Sequence, residues 1–230
     1  MAVMGNTAPS GGVSGGMAVI HKTTMRPTKL ELLTSWLPAQ PWYPGAGREP
    51  ELSRAGGFRL DDPQGEVGIE FMVVRDDSGD RPVWYHLPLS YRAAPLGGAE
   101  QALIGTSEHG VLGRRWVYDG THDPVLVAQL FALLQGRAEP QMQSVSDAPD
   151  PSVTVQAADV PDAVGAASVT NGPDGTRLAV AEGRLTLDVR RVLEPAGQAP
   201  EAQGHVIATW QLSDGGESRG VFAVLSRALR

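Results

Sequence analysis

Residues 114–137 read RRWVYDGTHDPVLVAQLFALLQGR, and the change of period inside this stretch decides the fold. Up to Tyr118 the chain reads as a strand. Asp119-Gly120 then reads as a turn, because a short polar side chain followed by glycine suits a reversal. Asp123 stands where a helix N-cap belongs and Pro124 at the first helical position. Leu126, Val127, Leu130, Phe131, Leu133 and Leu134 follow as an apolar stripe, and Gly136 stops the helix. A stripe that wide must be buried, which predicts this helix across a sheet, with any earlier helix beside it or at the sheet's edge.

Upstream, Val67, Ile69, Phe71 and Val73 alternate with Gly68, Glu70, Met72 and Val74, and Val83, Tyr85, Leu87, Leu89 and Tyr91 resume the alternation after a DDSGD turn. This pattern predicts an antiparallel hairpin with one polar face left wet. Shorter strands are expected near residues 101–106 and 112–118. Thr28 and Glu31 have the spacing of a capping box, and Leu30, Leu33, Trp36 and Leu37 fall on one helical face. Pro38 and Pro41 end that helix, and residues 40–54 read as an ordered loop in which Trp42 and Tyr43 pack back.

Downstream of Gly136 the character changes. A polar, proline-bearing segment at residues 141–151 reads as a linker, dividing an α+β unit at residues 25–140 from a β-rich one at residues 152–230. Strands are expected at residues 152–156, 176–181, 184–192, 205–212 and 221–226, with a tight Glu182-Gly183 turn. The Gly/Ser-rich residues 1–24 read as a disordered extension, and Met17 as an alternative start.

The formal charge of −7, with no long charge run, argues against a nucleic-acid or anionic-membrane surface. Zero cysteines exclude disulfides, thiolate nucleophiles and thiolate metal sites. The first residues lack a basic start and an apolar core, and no run suits a membrane span, so a cytoplasmic protein is expected.

The cluster Asp119, His122 and Asp123, just after His109, invites a metal or acid/base reading. Yet the histidines lack a recognisable local ligand pair, and both aspartates have work as turn and cap residues. No catalytic residue, metal ligand or cofactor is therefore assigned. A small hydrolase using His109, Asp119 and His122 is the enzymatic counter-reading. Residues 105–109 miss the nucleophile elbow, which needs glycine where His109 stands. Trp36, Trp42 and Tyr43, with Gln40 among them, read as core anchors or as rings for a sugar to stack on. Arg114 and Arg115 form a small basic patch. The stretch SVTNGPDGTR, residues 168–177, reads as an ordinary turn between strands, or as a glycine loop over phosphates that has lost a donor at Pro173.

At Trp36-Leu37-Pro38-Ala39-Gln40-Pro41-Trp42-Tyr43 the chain resembles the W-L-x-x-Q-R-W-Y signature of the N-terminal cap of maltokinases, with Pro41 where arginine is usual. The Tyr118-Asp119-Gly120 turn into an apolar helix resembles that cap's closing helix. The resemblance runs over roughly residues 28–137 and implies helices packed on a curved antiparallel sheet. It also implies that the second half is a degenerate kinase N-lobe. Leu185-Thr186-Leu187-Asp188-Val189-Arg190-Arg191 would be the strand that carries the nucleotide lysine, with Asp188 in the lysine's place. Asn171, Gly172 and Gly175 would be what is left of the phosphate loop. With 39 residues after Arg191, a catalytic C-lobe is not expected. The implied protein is a non-catalytic accessory or regulatory partner in α-glucan, trehalose or glycogen metabolism, contacting an enzyme or a malto-oligosaccharide through Trp36, Gln40, Trp42, Tyr43, Arg114 or Arg115. The alternative is a split sugar kinase that needs its C-lobe in trans.

Overall fold

The computed structural model describes residues 25–45, 47–143, 145, 148–158, 168–195 and 202–228. The expected N-terminal extension lies outside these residues. The elements in chain order are β1 (Met25–Arg26), α1 (Lys29–Trp36), β2 (Leu52–Leu60), β3 (Gly68–Asp76), β4 (Val83–Arg92), β5 (Leu103–His109) and β6 (Gly113–Asp119). They continue as α2 (Pro124–Leu134), β7 (Gln141–Met142), β8 (Thr154–Gln156), β9 (Ser168–Gly172), β10 (Gly175–Val180) and β11 (Leu185–Val189). The last three are β12 (Val192–Leu193), β13 (Gly204–Gln211) and β14 (Glu217–Arg227). The protein is thus mostly antiparallel sheet with two short helices.

Both helices start as their sequences predict. Thr28 and Glu31 form the reciprocal capping box of α1. Asp123 accepts the backbone N–H of Val125 at the head of α2, and Gly136, at φ 70°, ends it.

The strands close on themselves. From β4 the pairing runs through β3 and β2 to β13, β14 and β11. Two residues beyond β11, β12 pairs with β4 through Val192 opposite Tyr85 and Leu193 opposite Trp84. The result is a barrel-like ring in which β11 and β12 act as one kinked strand. β6, β5 and β1 extend from the far half of β4, and β10 and β9 extend from β11.

Alternation then places two cores on the two faces of β3. Ile69, Phe71 and Val73 face the ring interior with Phe58, Leu187, Val189, Trp210 and Phe222, and α2 joins this cluster through Leu126, Leu130, Phe131 and Leu134. Met72 and Val74 face the other way, into a cluster with Leu33 of α1, Leu37, Trp42, Tyr43, Tyr85 and Leu87. The expectation of a wet face and of neighbouring helices is therefore corrected. Both faces of β3 are covered, and α1 and α2 lie on opposite sides, because Met72 and Val74 are as apolar as the residues they alternate with.

A second correction concerns β2, which begins at Leu52 inside the stretch read as loop. Gly56 and Gly57 hide it. They adopt φ 131° and 122°, and a Cβ on Gly57 would lie 2.1 Å from the Phe71 carbonyl oxygen. Glycine lets the strand bulge and bend there at the cost of its propensity signal.

The interior cluster takes side chains from both sides of residues 141–151, and that segment itself pairs with β2 through Gln141 and Met142. Phe222, 1% exposed, stacks on Phe58 from before the segment and on His86 of β4. Phe222→Ala is expected to destabilise the protein by about 3–5 kcal/mol. Far-UV circular dichroism and tryptophan fluorescence in urea should shift together as one transition. Separate transitions would show that the two segments unfold independently.

Candidate functional site

At the end of β6 two aspartates four residues apart cap two successive turns. Asp119 accepts the backbone N–H of Thr121 at 3.1 Å and its hydroxyl at 2.8 Å, starting a single 3-10 turn at residues 120–122. Asp123 caps α2 and is held in a bidentate pair by Arg92 of β4, with Nε and Nη2 each 2.7 Å from a carboxylate oxygen. Hydrogen bonds and the neighbouring guanidinium outweigh burial and keep the Asp123 carboxyl below its ordinary range.

Asp119 has a stronger partner. Arg191, at the kink between β11 and β12, donates from Nη2 to both carboxylate oxygens at 2.7 and 2.6 Å and to the Thr121 hydroxyl at 3.2 Å. Its Nε donates to the Thr176 hydroxyl at 2.7 Å, and its guanidinium lies over the Trp42 ring, 5.1 Å from the centroid. Arg191 and Asp119 side chains are 0% and 2% exposed, so the ion pair is sealed from solvent. Burial alone would raise the Asp119 carboxyl, but the Arg191 charge and its hydrogen bonds hold it low. The sequence carried a sign of this. A period of two places Arg191 in register with Leu185, Leu187 and Val189, three buried positions, and an arginine in a buried register needs a carboxylate.

The kink is stitched to β4 as well. The His86 backbone N–H donates to the Arg191 carbonyl and its Nδ1–H to the Arg190 carbonyl, each at 2.9 Å. Desolvation pushes the His86 pKa down to about 3. On the α1 face, Glu70 is the centre of a second buried network. It accepts from Lys29, from the Tyr91 hydroxyl at 2.5 Å and from Gln143 Nε2 at 2.6 Å. Burial would raise its pKa, but the Lys29 charge, the hydrogen bonds from Lys29 and Tyr91 and the Arg54 charge bring it to about 2.

His109 of the opening cluster does not converge with Asp119. His109 Nδ1 accepts the backbone N–H groups of Val111 and Leu112, forming the tip of the β5–β6 hairpin. Asp119 stands at the other end of the seven-residue β6, which spans about 20 Å at ~3.3 Å per residue. His122 is half-buried, and desolvation lowers its pKa. The hydrolase constellation is therefore not assembled, because the β5–β6 pairing holds His109 at the far end of the ladder from Asp119 and His122.

The residues proposed for ligand contact are also placed. Trp42 and Tyr43 are 2% and 7% exposed. Trp42 packs between Trp36 and Tyr85 with ring centroids 5.8 and 6.0 Å away, and Tyr43 bonds Asp76 through its hydroxyl at 3.0 Å. Their rings belong to the core and offer no open face to a sugar. Trp36 and Gln40 are half-buried, with Gln40 Nε2 donating to the Trp36 carbonyl. Arg114 is exposed and paired with Glu108, and Arg115 beside it is half-buried. Asn171 accepts the Thr176 hydroxyl, while Gly172 and Gly175 flank a two-residue β9–β10 hairpin turn at Pro173-Asp174. Asp188 forms a cross-strand ion pair with Arg177 at 2.7 Å on the protein surface.

These residues define a β-rich α+β protein whose antiparallel sheet is clasped by separately capped helices and locked by a buried ion pair. Residues 36–123 match the family model of the maltokinase N-terminal cap domain. No curated protein matches the chain. No helix among the described residues is long and apolar enough to cross a membrane.

Replacing Arg191 by Leu would leave Asp119 charged and buried, at a cost of about 3–5 kcal/mol. The double variant Asp119→Asn/Arg191→Leu should recover part of that loss in urea titrations. The pH dependence has a definite sign. His86 titrates at about 3 when folded against an ordinary 6.5, so the unfolded chain binds the proton first and stability falls as pH drops below 6.5. Glu70, depressed from 4.5 to about 2, adds a loss only as pH falls through that lower window. Denaturation midpoints should decline from near neutrality, and His86→Gln should flatten the slope above pH 4.5 while leaving the more acidic limb.

Proposed function

We propose that this chain is a non-catalytic accessory or regulatory protein of α-glucan metabolism, including trehalose or glycogen turnover, acting in the cytoplasm. In this reading its cap holds a partner enzyme or a glucan. One observation carries it. A maltokinase-type cap is followed by β11, and the position expected to hold a nucleotide lysine in a working kinase is Asp188, which pairs with Arg177 at the surface. A carboxylate there repels phosphate where a lysine would attract it. The Asp119 and Asp123 carboxylates are engaged by arginines and helix caps, which supports structural work for the acids of this region.

The competing reading is a split sugar kinase, and nucleotide binding separates the two. A thermal shift titration with Mg²⁺ and ATP is expected to leave the melting temperature unchanged, whereas bound nucleotide at a hundredfold excess over Kd would stabilise by about 2.7 kcal/mol. A clear shift would favour the kinase. Co-purification with glucan-metabolising enzymes and titration with malto-oligosaccharides test the accessory role directly. Failure of both would overturn it.

A further inference from the structure

The β5–β6 hairpin closes through a turn at residues 110–112, and Gly113, at φ 69°, starts the return strand. Its apolar side chains stand in water: Val111 and Leu112 are 61% and 45% exposed. Burial therefore contributes little to holding the turn, and its shape depends on hydrogen bonds. One ring nitrogen accepts two of them. The backbone N–H groups of Val111 and Leu112 donate to His109 Nδ1 at 3.3 and 3.0 Å. An imidazole can accept there only when it is neutral and carries its proton on Nε2, because in the cation both ring nitrogens are donors. His86 has the opposite arrangement, its Nδ1–H donating to the Arg190 carbonyl, so a proton gained there strips no backbone amide of its acceptor.

We propose that His109 makes this hairpin tip a pH-sensitive element: the neutral ring holds Val111 and Leu112 in a closed turn, and protonation releases them. The device is independent of what the protein binds. Protonation turns Nδ1 into a donor facing two donors, so the turn loses both hydrogen bonds in one step. The charged groups around the ring come from three strands and a helix. Glu108 and Arg114 are paired across β5 and β6, Arg115 lies on the His109 face of β6, and Arg26 of β1 stands opposite Glu108. α1, packed on β5 through Leu32, carries Lys29, which is bound to Glu70, and Glu31, which is bound in the capping box. Both acids of this set are engaged, so the cationic ring leaves the Val111 and Leu112 amides to water. The change is confined to the tip and falls in the range, roughly pH 5–8, in which imidazoles ordinarily change charge. Proton concentration is thereby coupled to how an exposed apolar pair is presented.

A two-dimensional proton–nitrogen NMR titration of the full chain between roughly pH 8 and pH 5 tests this. The Val111 and Leu112 amide resonances should move with the midpoint of the His109 ring resonances. Their protection from hydrogen exchange, corrected for the intrinsic effect of pH, should fall about fivefold. His109→Asn, whose side-chain oxygen can accept backbone N–H groups at any pH, should keep the tip protected and abolish its titration, while His109→Ala should lower protection throughout. His86→Gln should leave the response of the tip unchanged, which separates it from the pH dependence of global stability. The parent chain alone can overturn the proposal, by Val111 and Leu112 resonances that stay fixed while His109 titrates or by a His109 ring that stays neutral down to roughly pH 5. An equal response of the tip in His109→Asn would overturn it as well.

Discussion

The rest of the structure depends on one buried ion pair, Arg191 with Asp119. Two unlike charges sealed from water are stable only when their geometry is nearly ideal and their remaining hydrogen-bonding capacity is used. Here Nη2 meets both carboxylate oxygens, Thr121 and Thr176 take further bonds, and the Trp42 ring faces the guanidinium, while Nη1 is buried without a hydrogen-bond partner. The pair joins the end of β6 to the kink where the chain passes from β11 to β12. Such a contact adds little net stability compared with a packed apolar pair, but an alternative register would bury one charge alone. It therefore specifies which strand crosses to β4 and where.

Closure of the ring follows from that crossing. With β12 against β4, the interior apolar residues of β2, β3, β13 and β14 face one another across a single core, and α2 can bury its stripe in the same cluster. The opposite face of β3 is then free to take α1 and the aromatic loop. Lys29, Tyr91 and Gln143 converge on Glu70 there, fixing α1 through charge as well as apolar contact. The two buried networks together give the fold its polar specificity.

The same economy of polar groups shapes the functional reading. Residues that look chemical in the sequence are engaged in holding the fold: Asp119 and Asp123 as caps and ion-pair partners, His109 as the acceptor of a hairpin tip, Asp188 in a surface pair with Arg177. Trp42 and Tyr43, which carry the resemblance in the sequence, build the core beneath the sheet.

Local signals determined a good part of this protein from sequence alone. The capping box at Thr28 and Glu31, Asp123 with Pro124, and the alternation of β3 and β4 each act within a few residues of chain, so no distant contact was needed to read them. The resemblance to the maltokinase cap was legible in the same way, since the stretch that carries it is contiguous. Glycines blurred β2, because Gly56 and Gly57 are there for bend and clearance rather than propensity. Pairings between residues far apart in the chain were decided only by the tertiary structure. Arg191 meets Asp119 across 72 positions and Glu70 meets Gln143 across 73, and no periodicity spans such gaps. Sequence could say that an arginine would fall in a buried register and that an aspartate would end a strand. Only closure of the ring could bring the two within hydrogen-bonding distance, where each charge offsets much of the other's desolvation cost.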